Sequence, residues 1–400
     1  MTVNSLRMPA IIDSRQGGSQ SRPALVALTV TCGFFLCMPM PAYPQQVEDR
    51  VADMMTAGWR AQTTHQLVSR GDTKDSPVRV LTQSPSSQTT AWQDFRKYAD
   101  LRFDLSSTRI VMVARGGRLE YERYLQGKAS PVATPIGNSM SKSLVSLAVG
   151  KALCAGALKS LDQSVGSLVP DLRGTSWGAA SLRDTLRMAT GAFVTDTVRP
   201  TGWRDEEDIK VNRAVYSRQL TRSYIDLMRR FDQKALPAGS QFHYNNYDTV
   251  ALALAVEAAT KEPFSRYFSD QVWMHIGAES EGAWVTNEKG EVAGYFGFSA
   301  RPADWLRLGL WVLDQRARDD CFGQYLQQAT QEQIVANWPV NKSYGYQIWT
   351  NCTKRPGSFC FLGNHGQQLI FDPATHSVLY VHATSNATNM VWREVFDRLP

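Results

Sequence analysis

Ser139 and Lys142 stand three residues apart in Gly137-Asn138-Ser139-Met140-Ser141-Lys142-Ser143. On a helix that spacing puts a hydroxyl and an amine on one face, one turn from each other. Leu144, Leu147, Ala148 and Leu153 follow at positions that could form a buried helical face, so a helix is expected there. Gly137 and Asn138 supply the bend into it, which leaves Ser139 at its N-terminus. Unpaired N–H groups and the positive end of the helix dipole favour developing negative charge at such a point. Together these are the parts of an acyl-transfer nucleophile. The pair alone is weak evidence, because a capping serine and a solvated lysine give the same string.

Two later segments carry complementary chemistry. Phe242-His243-Tyr244-Asn245-Asn246-Tyr247-Asp248 offers a phenol, Tyr244, which a neighbouring amine could tune into a base for the serine proton. The Asn246 amide could hold Lys142 or a substrate carbonyl. The bland alternative is that the tyrosines pack at a rim and the asparagines make a turn. Gly363-Asn364-His365-Gly366-Gln367-Gln368 then leads into Leu369–Phe371. A glycine beside a strand lets substrate approach the backbone, and an edge N–H can point at its carbonyl oxygen. An ordinary glycine turn, with His365 as a loop residue, reads equally well.

The elements that must position these groups follow from patterning. Short helices are expected at Val47–Met55, Thr64–Ser69 and Trp92–Leu101. Thr108–Ala114 and Leu119–Tyr124 read as strands joined through Gly116-Gly117. From Leu144 to about Glu281 the chain is mostly helical in character. Ser181 caps a short helix to Met188, and Val250–Thr260 and Phe264–His275 are further helices. Strands return after Ala283, interrupted by a helix at Ala303–Gln315. Gln367–Phe371 and Ser377–Ala383 are strands around a turn at Asp372-Pro373-Ala374, and Asn386–Arg398 is a last helix. Strands at both ends with helices between them imply an α+β fold, its antiparallel sheet formed by both chain ends. The domain reading is a leader over residues 1–45, a lead-in over 46–91 and one domain over 92–400, with a helical insertion at about 144–281.

Composition sets limits. With 43% hydrophobic and 20% charged residues, the 400-residue chain is ordinary globular material. Its net charge of +6 is scattered rather than stacked in runs, so no nucleic-acid footprint is present. Arg7, Arg15 and Arg22 precede an apolar run from Ala24 to Met40 that ends among Pro39, Pro41, Ala42 and Pro44. That is the order of an export signal with Ala42 as a cleavage point, the alternative being an uncleaved membrane anchor. The mature chain is then expected in the periplasm or outside the cell. Four cysteines remain past the leader, and Cys352 and Cys360 flank a turn-rich tip that a disulfide could bridge. Metal-ligand spacings are absent.

Order and spacing of the three segments resemble the class C β-lactamase-like serine hydrolases, over about Trp92 to Pro400. The strings around Ser139 and Tyr244 are most similar to the branch containing 6-aminohexanoate-dimer hydrolase and related esterases, and Ser181–Gly191 resembles that family's short helix and turn. The resemblance implies a β-lactamase/transpeptidase-like fold and a small-molecule ester or amide substrate, with no cofactor and no metal. It implies Ser139 as nucleophile, Lys142 and Tyr244 as proton carriers and Asn246, His365 and Gly366 as orienting residues. The oxyanion hole would be the N–H groups of Ser139 and Gln367. Aligned on Gly366, the third segment lacks the lysine that β-lactamases carry, which favours esters or linear amides. A D-Ala-D-Ala carboxypeptidase, a weak β-lactamase or a non-catalytic binding protein are the other readings. Chain position also suggests the loop 195–212 with Trp203, and Trp177 and Tyr344, as pocket walls.

Overall fold

The segment before Trp92, expected as a lead-in, is built into the fold. A computed structural model describes residues 45–400 except 62–63, 73, 85–88, 194–222, 231, 235, 337 and 339. The leader and the loop 195–212 therefore lie outside the described residues. Helix α1 (Gln45–Ala57) sends Met55 into the main core. The stretch expected as a helix over Thr64–Ser69 is strand β1 (His65–Val68) instead. It pairs antiparallel with Gly282–Val285 and buries Val68 completely, so tertiary pairing overrides a weak local preference.

Helix α2 (Thr90–Asp104) is capped by Thr89, whose hydroxyl accepts from the Trp92 N–H. Strands β2 (Thr108–Arg115) and β3 (Arg118–Tyr124) then form the expected hairpin. Its turn needs two left-handed residues, and Gly116 and Gly117 take φ of 54° and 78°. Helix α3 (Met140–Cys154) carries Ser139 at its start and is buried along most of its length. Past it, Leu158–Gly174 holds only single turns, at Val165–Leu168 and Pro170–Leu172. Helix α4 (Leu182–Leu186) follows, with the Ser181 side chain accepting from Asp184 N–H as expected. A small ribbon joins β4 (Ala192–Phe193) to β5 (Gln233–Lys234), with α5 (Tyr224–Arg230) between them in sequence. Helix α6 (Asn246–Thr260) begins four residues earlier than expected, and α7 (Phe264–Gln271) ends before a separate turn at Trp273–His275.

The rest is strands with three helices. β6 (Gly282–Val285) lies between β1 and β7 (Phe298–Ser299) in a three-stranded sheet. Helices α8 (Pro302–Arg316) and α9 (Cys321–Ala329) precede β8 (Ile334–Val335), β9 (Ser343–Tyr344) and β10 (Trp349–Thr350). Then come β11 (Phe359–Gly363), β12 (Gln367–Asp372), β13 (Ser377–Ala383) and α10 (Thr388–Asp397). The main sheet is antiparallel throughout, in the order β3-β2-β13-β12-β11-β10-β9-β8, so both chain ends meet at β2 and β13.

Alternation explains why its central strands are apolar on both faces. Ile110, Met112 and Ala114 of β2, with Val378 and Tyr380 of β13, face the core that holds α3 and α8. Val111, Val113, Leu379 and Val381 face the other core, filled by Trp92 and Phe95 of α2 and Trp392 and Phe396 of α10. A sheet covered on both faces reads as continuous hydrophobic runs. This sandwich fixes β11 and β12 against the start of α3.

Candidate active site

The entry to α3 is shaped by Asn138, which sits buried at φ 48° in the left-handed region that asparagine tolerates better than most residues. Its Nδ2 donates to Asn364 O at 2.9 Å, fastening the serine turn to the end of β11. Ser139 follows as the N-cap residue but makes no side-chain capping bond. Its half-buried hydroxyl meets Lys142 instead, whose Nζ donates to Ser139 Oγ at 3.1 Å.

Lys142 is 1% exposed. Its ammonium has three protons and three acceptors: Ser139 Oγ, Asn246 Oδ1 at 2.7 Å and Tyr295 O at 2.8 Å. No carboxylate pairs with it among the described residues. Burial therefore pushes its pKa well below the usual lysine value. An amine so placed gives up its proton more readily than an ordinary lysine, and in its neutral form it can accept the serine proton.

The second segment is held by its first asparagine. Asn245 caps α6, its side-chain oxygen accepting from Tyr247 N–H at 2.9 Å and its Nδ2 donating to Ala192 O at 3.0 Å. That fixes Asn246 in the first turn with its oxygen on Lys142. Tyr244, just before the cap, brings its ring centroid to 4.9 Å from Lys142 Nζ. Its ring stacks on Trp349 (6.0 Å, 15°) and leans on Trp338 (5.4 Å), an aromatic wall beside the amine. The structure thus brings Ser139, Lys142, Tyr244 and Asn246 together. Sequence reasoning missed Tyr295, which acts through a backbone carbonyl and so leaves no side-chain signal.

The third segment differs from expectation in register. A Cβ on Gly363 would stand 2.3 Å from Gly137 O and 3.1 Å from Asn138 Cβ, so only glycine lets β11 end against the serine turn. Gly366 (φ 87°) serves a different contact, since its Cβ would meet Thr388 Oγ1 at 2.2 Å at the start of α10. Gln367 is 1% exposed, its side chain turned to Ala383 O and His382 rather than to Ser139. The glycine beside the nucleophile is therefore Gly363, with Asn364 after it, and not Gly366 with Gln367. His365 takes φ 61° in the turn, and its imidazole, with a pKa lowered by burial, hydrogen-bonds the Thr384 backbone. The signal was present in Phe359–Gly363, an apolar run that ends on glycine. With Gly363 as the motif glycine, buried Phe361 and half-buried Leu362 stand where the β-lactamases carry Lys-Thr, so the missing cation persists.

Two expected pocket residues are core instead. Trp177 (0% exposed) donates its indole N–H to Asp248 Oδ1 at 2.9 Å. Tyr344 (1% exposed) packs behind the aromatic wall, 4.7 Å from Trp349. Cys352 pairs with Cys360 as expected, and a second disulfide, Cys154–Cys321, ties the end of α3 to the start of α9.

A serine, a buried amine and a tyrosine ring meet at a helix N-terminus beside a sheet, an arrangement able to support serine-hydrolase chemistry. The beta-lactamase family model matches residues 109–398, and the chain belongs to that family. The 6-aminohexanoate-dimer hydrolase of Paenarthrobacter ureafaciens is 25% identical over 303 residues, 70% of this chain and 73% of that relative. A Bacillus anthracis structure designated a candidate 6-aminohexanoate-dimer hydrolase superposes with a TM-score of 0.71 at 20% identity, covering 86% of this chain and 92% of the other. EstCE1, described as a hydrolase with promiscuous acyltransferase activity, gives 0.60 at 15% identity, over 79% of this chain and 100% of its own. The fold is β-lactamase/transpeptidase-like, and the protein is a serine hydrolase of the esterase/amidase type.

Proposed function

We propose that the protein is an exported hydrolase that cleaves an ester or linear amide through an acyl-enzyme on Ser139. The observation that carries this reading is the buried Lys142 amine on Ser139 Oγ, with no carboxylate paired to it among the described residues. Neutral Lys142, with Tyr244 alongside, takes the serine proton as Oγ attacks the carbonyl. The N–H groups of Ser139 and Asn364 receive the oxyanion, and the proton passes to the leaving alcohol or amine. Water, giving its proton to the same pair, then attacks the acyl carbonyl and releases the acid and Ser139. Asn246 and Tyr295 O hold Lys142 in place throughout.

Phe361 and Leu362, in place of a cation, favour a substrate without the carboxylate that a β-lactam or a D-Ala-D-Ala peptide presents. The relative's name points to a linear amide as one substrate, and the hydrolase neighbours to esters. Export is supported by the charged and apolar leader and by two disulfides, which persist in oxidising compartments. No helix among the described residues is long and apolar enough to cross a membrane.

The test is intact-protein mass after a fluorophosphonate, run beside hydrolysis of p-nitrophenyl esters, linear amides, D-Ala-D-Ala peptides and nitrocefin. The reading expects one adduct and ester or amide turnover, both absent in Ser139→Ala. Labelling that survives Ser139→Ala would overturn it, and turnover of nitrocefin or D-Ala-D-Ala peptides alone would move the substrate to the β-lactamase or peptidase reading.

A further inference from the structure

Behind the turn that carries Asn364 runs a line of buried polar side chains that the proposed chemistry does not use. Gln367 Nε2 donates to Ala383 O at 2.7 Å and to His365 O at 3.2 Å. Two carbonyls on that side fix the amide orientation, because an oxygen there would face both. The Gln367 Oε1 then points at His382 Nδ1, 2.6 Å away, and can only accept. So His382 carries its proton on Nδ1, and its Nε2 must accept. The group facing Nε2 is the Thr56 hydroxyl at 2.9 Å, which also lies 2.9 Å from Ala52 O. Arg109 Nη1 donates to Thr56 Oγ1 at 2.8 Å and to Ala52 O at 3.0 Å, so the Thr56 hydroxyl accepts from Arg109 and shares its one proton between Ala52 O and His382 Nε2. Asp53 pairs with Arg109 at 2.8 Å where the line reaches the surface.

Every donor therefore runs one way: Arg109 to Thr56, Thr56 to His382, His382 to Gln367, Gln367 to the carbonyl of His365. His382 is 0% exposed and Thr56, Arg109 and Gln367 are nearly so, which makes each link costly to leave unmade. The line ends on the 364–366 turn, beside the serine turn. His365 sits at φ 61°, a conformation few non-glycine residues hold unaided. Gln367 also stands on the same rung as Gly363, the residue against the serine turn.

We propose that His382 and Gln367 are positioning residues that hold the 364–366 turn, and with it the Asn364 N–H, in register with Ser139. This rests on the reading of Ser139 as nucleophile. Gln367→Met keeps the volume and removes both donors, and His382→Phe removes the link before it. Each is expected to lower kcat and the fluorophosphonate labelling rate about tenfold or more, with KM within about twofold. His382→Asn, whose Nδ2 replaces Nδ1 as donor, is expected to recover most of the loss. Thr56→Val, the mildest change, is expected to cost about threefold. Rates are taken per folded molecule, with thermal melts beside them. Wild-type kcat in folded Gln367→Met and Thr56→Val, or a loss confined to KM, overturns the proposal. Amide exchange supplies a readout independent of activity: residues 364–366 are expected to exchange at least tenfold faster in Gln367→Met, while α10 is unchanged. Unchanged exchange at the turn also overturns it, whereas failure of wild type to label at all sinks the nucleophile reading and leaves the exchange result standing.

Discussion

Two buried polar networks flank the start of α3, and they are built on opposite rules. Around Lys142 an amine is surrounded by neutral acceptors, with no anion paired to it among the described residues. Around His382 every donor has its acceptor, and the line closes on an Arg109–Asp53 ion pair. The first arrangement shifts a protonation equilibrium toward the neutral amine. The second keeps His382 neutral with both ring nitrogens engaged, and what it provides is rigidity. The same low dielectric thus yields reactivity in one place and order in the other, according to whether the charges balance.

Removing the unbalanced group separates activity from stability. Lys142→Met is expected to lower kcat/KM by roughly a thousandfold or more, since the serine loses its base. Its melting temperature is expected to hold or rise, because an amine costly to bury has gone. Activity assays beside thermal melts check both, and a large fall in stability would mean that the amine is mainly structural. Asn246→Ala, which takes away one of the acceptors on Lys142, is expected to cost about 10- to 100-fold in kcat, with KM changing less.

The balanced network answers the other way. Arg109→Met leaves Thr56 and Ala52 O without their donor, and a stability loss of about 1–3 kcal/mol is expected by chemical denaturation. His382 gives a pH signature of its own. Burial, with the Arg109 charge nearby, lowers its pKa from 6.5 to about 3 in the folded protein. Between those values the unfolded chain binds a proton that the folded chain refuses, so this contribution to stability is lost as pH falls through that window. His382→Asn, with nothing to titrate there, is expected to lose stability less steeply between about pH 6.5 and pH 4.

Much of this was legible in the residues. Ser139, Lys142, Tyr244 and Asn246 could be picked out because each offers a reactive or polar side chain beside a helix start that caps or bends mark, and the structure brings them together. The two-ended sheet was readable from strand patterns at both ends of the chain with helical patterns between them. What stayed hidden depends on register and distance. Gly363 and Gly366 are the same letter, and only the packing against Gly137 and Thr388 tells them apart. His65–Val68 becomes a strand through a partner more than 200 residues away. Trp177 looks like a pocket wall until its indole is seen on buried Asp248. The Arg109-to-Gln367 line joins residues from three parts of the chain, and no local pattern marks any of them.

The central claim is that Ser139 becomes acylated, and trapping that state tests it most directly. The protein would be mixed with p-nitrophenyl acetate, quenched in acid within the first turnover and mapped by peptide mass spectrometry. The account predicts a burst of p-nitrophenol and one acetyl group on the peptide containing Ser139, both absent in Ser139→Ala. Steady hydrolysis by wild type with no burst and no acetyl on that peptide, or an acetyl group mapped to another residue, would contradict it.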